Sequence, residues 1–235
     1  MRVWLAVLLA LWAGNAVVAQ SAHVSDARYS EPTDRYGHAV LGDAIEWGAL
    51  EMTVDGQTVL VRLPQTRVFE DVAPRLVDIE GDGAQEVMVV ETLIGQGARL
   101  AIYGGDGSLK AATPYIGRNF RWLAPVGAGD FDGDGFVEVA YIDRPHLAKT
   151  LRIWRFEAGE LRALVDLPGL TNHRIGEADI AGGLRDCGQG IELITADANW
   201  RSIMATRFDG RVYQSRVIGP HVDRASFAEA LSCAM

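Results

Sequence analysis

Short apolar, β-branched runs recur along the chain, each cut off by Gly, Asp, Asn or Pro, and long amphipathic helices are scarce. Leu50–Val54 with Thr58–Leu63, and Leu151–Phe156 with Leu161–Val165, flank turns at Asp55-Gly56 and Glu157–Glu160; further hairpin turns fall at Gly104–Gly107 and Asp209-Gly210. One complete unit reads as an inner strand Trp122–Ala128, an acidic loop, a second strand Val137–Asp143, a third Thr150–Phe156 and an outer strand Leu161–Leu167, which is a four-stranded antiparallel blade. The unit recurs at about 52 residues, the distance from Glu86 to Glu138, and the acid ending the second strand recurs as Glu91, Asp143 and Asp197. Four hairpins in phase with that period predict an all-β fold, a small β-propeller of about four four-stranded blades. The first repeat, from about Arg35 to Pro64, shows no acidic loop and is expected to lack an innermost strand. Ser226-Phe227-Ala228-Glu229 spells a capping box and predicts a short C-terminal helix from about 226.

The acidic loops are DIEGDGAQE, Asp78–Glu86, and DFDGDGFVE, Asp130–Glu138. Each places carboxylates at its first, third, fifth and ninth positions and a glycine at its sixth, where the backbone can fold the acids around one centre. Four like charges so close together repel unless a cation lies between them. An all-oxygen set without His or Cys suits a hard cation, and a flexible cage suits Ca²⁺ better than Mg²⁺. An EF-hand is excluded because its closing Glu comes at position twelve and its flanks are helices, whereas Val87–Glu91 and Val139–Asp143 read as strands. A metal-free Asp-Gly turn is the alternative for either copy alone. The third loop, GLRDCGQGIE, keeps only Asp186 and Glu192, and no calcium is expected there.

The segment GDFDGDGFVEVAYID resembles the FG-GAP or VCBS repeat of integrin α-subunit propellers and of many bacterial secreted proteins. That resemblance implies a β-propeller with Ca²⁺ in the loops between the first and second strands of its blades. It implies the ligands Asp78, Glu80, Asp82 and Glu86 at one site and Asp130, Asp132, Asp134 and Glu138 at the other, with the Ala84 and Phe136 carbonyls at position seven. The two ions would be structural, because such a cage leaves little open for chemistry. The chain departs from integrin heads, which have seven blades, and it lacks Phe-Gly and Gly-Ala-Pro framing.

Arg2, the apolar run Val3–Ala13 and the small residues Val17-Val18-Ala19 predict a signal peptide over 1–19, with a single propeller domain over 20–235. The apolar run falls short of the roughly 20 residues a bilayer requires, so no membrane span is expected in the mature chain, which would be exported to the periplasm or secreted. The net charge of −9 gives it little electrostatic reason to bind nucleic acid. Cys187 and Cys233 are the two cysteines, and in an oxidising compartment they are expected to be bridged, closing a loop of about 45 residues.

Alternating strand directions put the acidic loops and tight hairpins on one face and the remaining connections on the other. That second face carries Arg118-Asn119-Phe120-Arg121-Trp122, the related Asn172-His173-Arg174, then Arg144, His146 and Lys149, and Asn199-Trp200-Arg201. Two readings stand. One is a shallow site for an anionic or polyhydroxylated ligand, with Arg121, Arg174 and His173 as donors and Trp122 or Trp200 as stacking surface. The other is bracing, each Arg pairing with a strand-end acid such as Glu91, Asp143 or Asp197. No GxSxG, HExxH or phosphate-cradling loop is present. A non-catalytic binding or scaffold module is therefore expected, its partner another extracytoplasmic protein or such a ligand; a secreted hydrolase or lyase with its site on that second face is the alternative.

Overall fold

The computed structural model describes residues 23–235; the expected signal peptide lies outside the described residues. Seventeen strands and one helix follow in order: β1 Val24–Thr33, β2 Glu46–Val54, β3 Gln57–Arg62, β4 Arg67–Phe69, β5 Arg75–Val77, β6 Glu86–Leu93, β7 Gly97–Tyr103, β8 Leu109–Ala112, β9 Leu123–Gly129, β10 Glu138–Asp143, β11 Thr150–Glu157, β12 Glu160–Pro168, β13 Leu170–Thr171, β14 Gly183–Asp186, β15 Ile191–Asp197, β16 Ser202–Phe208, β17 Tyr213–Pro220 and α1 Ala225–Leu231. All pairings are antiparallel.

β9 to β12 form the four-stranded unit read from the sequence, in consecutive order. The other repeats vary it. In the last, the inner position is shared by β13 and β14, both paired to β15, and β16 and β17 complete a five-stranded sheet. The first two repeats are joined: β1, β2 and β3 belong to one, β4 to β8 to the next, and the Trp47–Phe69 pair ties them into a single eight-stranded sheet. β1 falls before the first repeat as read from the sequence, because its alternation is mostly polar and exposed on one side. The inner strands break where Glu70 and Asp71, or Asn172 and His173, turn inward and are buried. In β9 the same place carries a register shift opposite Ala140 and Tyr141, beside Pro125, which has no N–H to offer the ladder.

Period-two alternation explains why β6 and β10 are buried at nearly every position. Val87 and Val89 pack toward the first repeat, Met88 and Val90 toward the third. Val139 and Tyr141 face the second repeat, Ala140 and Ile142 the fourth. Leu193 faces the third repeat, while Ile194 and Ala196 pack against Phe227 and Ala230 of α1. The repeats therefore stack face to face, with α1 on the last. Gly127 permits close approach of β9 and β14: a Cβ there would lie 2.6 Å from Leu184 Cγ.

Among the described residues, no strand of the last sheet pairs with one of the first. The two ends of the stack meet through loops, where Gly176 N–H donates to Val40 O at 3.1 Å. α1 begins before Ser226 and has no side-chain cap of the expected kind; the Ser226 hydroxyl accepts instead from Val222 N–H, and Asp223 Oδ1 accepts from Ala225 N–H. No described helix is long and apolar enough to cross a membrane. Cys187 and Cys233 form a disulfide, their Cα atoms 5.9 Å apart.

Candidate functional site

The acidic loops join β5 to β6 and β9 to β10. In the second, Asp130 Oδ1 accepts from Gly133 and Asp134 N–H, and Oδ2 from Gly135 N–H. Glu138, buried at the start of β10, accepts Phe131 N–H on Oε2 at 2.9 Å. The first loop repeats this: Asp78 accepts from Asp82 and Gly83 N–H, and Glu86 Oε2 accepts Ile79 N–H at 3.1 Å. Ala84 and Phe136 donate their own N–H groups to Asp82 and Asp134.

Each loop also receives a protein cation. Arg155, on β11 directly across from Glu138, bonds Glu138 Oε1 at 2.8 Å, Asp132 at 2.5 Å and Asp134 at 2.6 Å. Lys110, on β8, bonds Glu86 Oε1 at 2.7 Å and Glu80 at 2.5 Å. Burial opposes the charge on both bases, yet the neighbouring carboxylates hold them above their ordinary range. Burial pushes the Glu138 carboxyl up, against the pull of Phe131 N–H and Arg155. In the degenerate third loop, Glu192 is held by Arg185 at 2.7 Å and Arg216 at 2.8 Å.

Asp130, Asp132 and Glu138 can bring three ligand oxygens within 4.8 Å of one another, the only such carboxylate trio among the described residues. Asp132 Oδ1 there is buried with no hydrogen-bond partner. These residues fit a calcium ion by donor type and by that free oxygen, with Arg155 as a competitor. The first loop gathers no such trio, and Lys110 ties two of its acids.

β10 runs from this loop to the other end of the stack, where Asp143 leads into a pocket of about 310 Å³. Its walls include His38, Phe120, Arg121, Trp122, Arg144 and His146. The Arg118–Arg121 connection is seated on Gly97, whose φ of +77° and lack of a Cβ let the Arg118 and Arg121 carbonyls approach. Phe120 (φ 53°) and Arg144 (φ 45°) are both in the left-handed region, which is uncommon for such bulky side chains. Tyr36 Oη accepts Phe120 N–H at 2.8 Å. Trp122 Nε1 donates to Glu70 O at 2.7 Å.

Bracing through Arg121 and Arg174 does not occur. Glu91 is taken by Arg67, Arg99, Tyr103 and Tyr115, Asp143 by Arg144 and Arg152, and Asp197 by the N–H groups of Asn199, Arg201 and Ser202. Arg121 has no acidic partner among the described residues and gives one bond, to Phe120 O. Burial, with His173 alongside, pushes His146 down to about 4, so it is neutral near pH 7. His146 therefore adds no charge to the pocket, and Arg121 and Arg144 give it two guanidinium groups.

The expected ligand face is divided. Arg121, Trp122 and His146 reach the pocket; Arg174 stacks over Trp200 at 4.2 Å in a separate groove. Asn172 and Lys149 are spent on backbone carbonyls, and His173 is buried between His146 Nε2 and Glu177 O. Asn119 accepts Gly95 N–H, and Arg118 is exposed outside the pocket. Sequence reasoning missed His38, whose Nδ1 bonds Glu70 Oε1 at 2.5 Å while Thr92 holds the other oxygen. It also missed Phe120 as a wall, and Lys110 and Arg155. The spacing of 17 residues between Arg155 and Glu138, directly across a hairpin, was the available signal.

Residues 78–141, from the first acidic loop into β10, match the model of the FG-GAP-like repeat family. No curated protein matches the chain.

Proposed function

We propose that this chain is an exported, β-propeller-like binding module whose ligand site is the pocket around Arg121, and whose acidic loops are structural calcium sites on the opposite face. The carrying observation is Arg121: a guanidinium on the wall of a pocket, without an acidic partner, in an acidic protein. Arg144 adds a second guanidinium, partly neutralised by Asp143, and the Trp122 ring and the exposed side chains of Phe120, Leu147 and Ile175 supply apolar wall. Such a site favours a small carboxylated or otherwise anionic ligand with an apolar or polyhydroxylated body. The disulfide and the FG-GAP-like match support export and the propeller reading. Asp130, Asp132, Asp134 and Glu138, with the Phe136 carbonyl, would hold the ion better supported by geometry; Asp78, Glu80, Asp82 and Glu86, with the Ala84 carbonyl, would hold the other. Bound there, calcium cross-links the carboxylates and stiffens the loops.

The test is a titration of the mature chain with citrate and with inorganic phosphate, followed by tryptophan fluorescence. Wild type should respond to one of them, and Arg121→Ala should lose the response, about tenfold or more in affinity, with an unchanged melting temperature. An equal response in both proteins contradicts the assignment.

His38 favours a second reading, a hydrolase. Its Nδ1 is held by buried Glu70, and its Nε2 has no partner among the described residues, the arrangement of an oriented proton acceptor. Turnover of p-nitrophenyl acetate or phosphate that His38→Gln abolishes would replace the binding reading.

A further inference from the structure

Glu86 and Glu138, which close the two acidic loops, and Glu192, which faces Arg185 across the shorter third loop, are all buried, and all three meet a protein cation. The cations arrive by different routes: Lys110 and Arg216 from outer strands, Arg155 from the strand next to Glu138, Arg185 from the inner strand. Different routes to one result indicate a requirement at that spot, because an unpaired carboxylate buried there would be strongly destabilising. The second loop meets it most completely. Arg155 is four-fifths buried, spreads its fork over Glu138, Asp132 and Asp134, and lies 5.7 Å from the Phe136 ring centroid. Both Glu138 oxygens are thereby committed, as are both Asp130 oxygens through backbone N–H groups.

We infer that Arg155 is a built-in counter-ion of the second acidic loop: it keeps the loop folded without metal, and it must leave Asp132 and Glu138 before Ca²⁺ can bind, so it sets the affinity of that loop for calcium. Asp132 Oδ1 is free, but Arg155 holds Asp132 Oδ2, Asp134 Oδ2 and Glu138 Oε1, oxygens needed to complete a cage, and a guanidinium and a divalent cation packed on the same carboxylates repel each other. The inference rests on the calcium reading of the loop for its second half only; the folding half stands without it.

The experiment follows the Gly133 and Gly135 amide resonances of the mature chain during a calcium titration, with thermal unfolding in EGTA alongside, for wild type and Arg155→Gln. Wild type should stay folded in EGTA. Arg155→Gln should melt lower in EGTA, recover with calcium, and bind calcium about tenfold or more tightly at this loop; Arg155→Lys should fall between. Equal calcium affinity in wild type and Arg155→Gln overturns the competition. If millimolar calcium moves neither glycine in any variant, the calcium reading of this loop fails, and the counter-ion is judged by the EGTA melts: a drop in Arg155→Gln that Asp132→Asn partly restores supports it, and no drop overturns it. If Arg155→Gln is unfolded even with calcium, refolding of the Asp132→Asn/Arg155→Gln chain supports the counter-ion, and failure to refold overturns it.

Discussion

Glu46 lies at the start of β2 with about 3% of its surface exposed, and burial, then Glu70, Asp43 and Asp71, push its carboxyl from 4.5 to about 9. Above about pH 4.5 the unfolded chain releases this proton while the folded chain keeps it, so stability falls as pH rises toward 9. Glu46→Gln should therefore raise the melting temperature at pH 8 by a few degrees, roughly 1 kcal/mol or more, and have little effect at pH 4. Equal shifts at both pH values would show that packing, not the buried charge, is responsible. The same residue shows where sequence reading ran out. Glu46 precedes a strand, as many solvated glutamates do, and the acids that surround it come from other elements. His38 and Glu70 are 32 residues apart, and Lys110 and Glu86 24, with no motif joining either pair. The loop carboxylates were legible because four of them share nine residues and a glycine.

At the scale of elements, β10 to β12 were legible almost to the residue, because β10, buried on both faces, is an apolar run, β11 and β12 set apolar residues at alternate positions, and a tight Ala158-Gly159 turn marks their hairpin. β1 was not, since an edge strand with one face in solvent lacks that run. The broken inner strands were hidden because their interruptions carry Glu70, Asn172 and His173, residues that read as loop. The disulfide was legible from a count of two cysteines and an expected oxidising compartment. It ties the degenerate third loop to the turn after α1, where Arg185 Nη1 also donates to the Ala230 and Met235 carbonyls. Replacing both cysteines by serine should cost roughly 4 kcal/mol in the chain-entropy picture of a loop of this length. The loss should appear first as amide exchange in α1 and β14. Uniform exchange across all four repeats would mean that the staple acts on the whole chain rather than on its last element.

At the scale of the whole molecule, the two ends of β10 separate two tasks. One end is acidic and held together by cations, the protein's own and, on our proposal, calcium. The other carries the arginine-lined pocket, reached by connections that have no part in the sheet ladders. The repeat explains the first end through spacing. It leaves the second open, because pocket residues come from four separate connections and differ in each. The most direct measurement is a map of backbone amide shifts for residues 20–235 titrated, in calcium-free buffer, with citrate and separately with inorganic phosphate. Shifts should be confined to the segments around His38, Phe120–Trp122 and Arg144–Leu147, with the acidic loops unmoved. Changes centred on Asp78–Glu86 or Asp130–Glu138, with the pocket silent, would contradict this assignment of the ligand site.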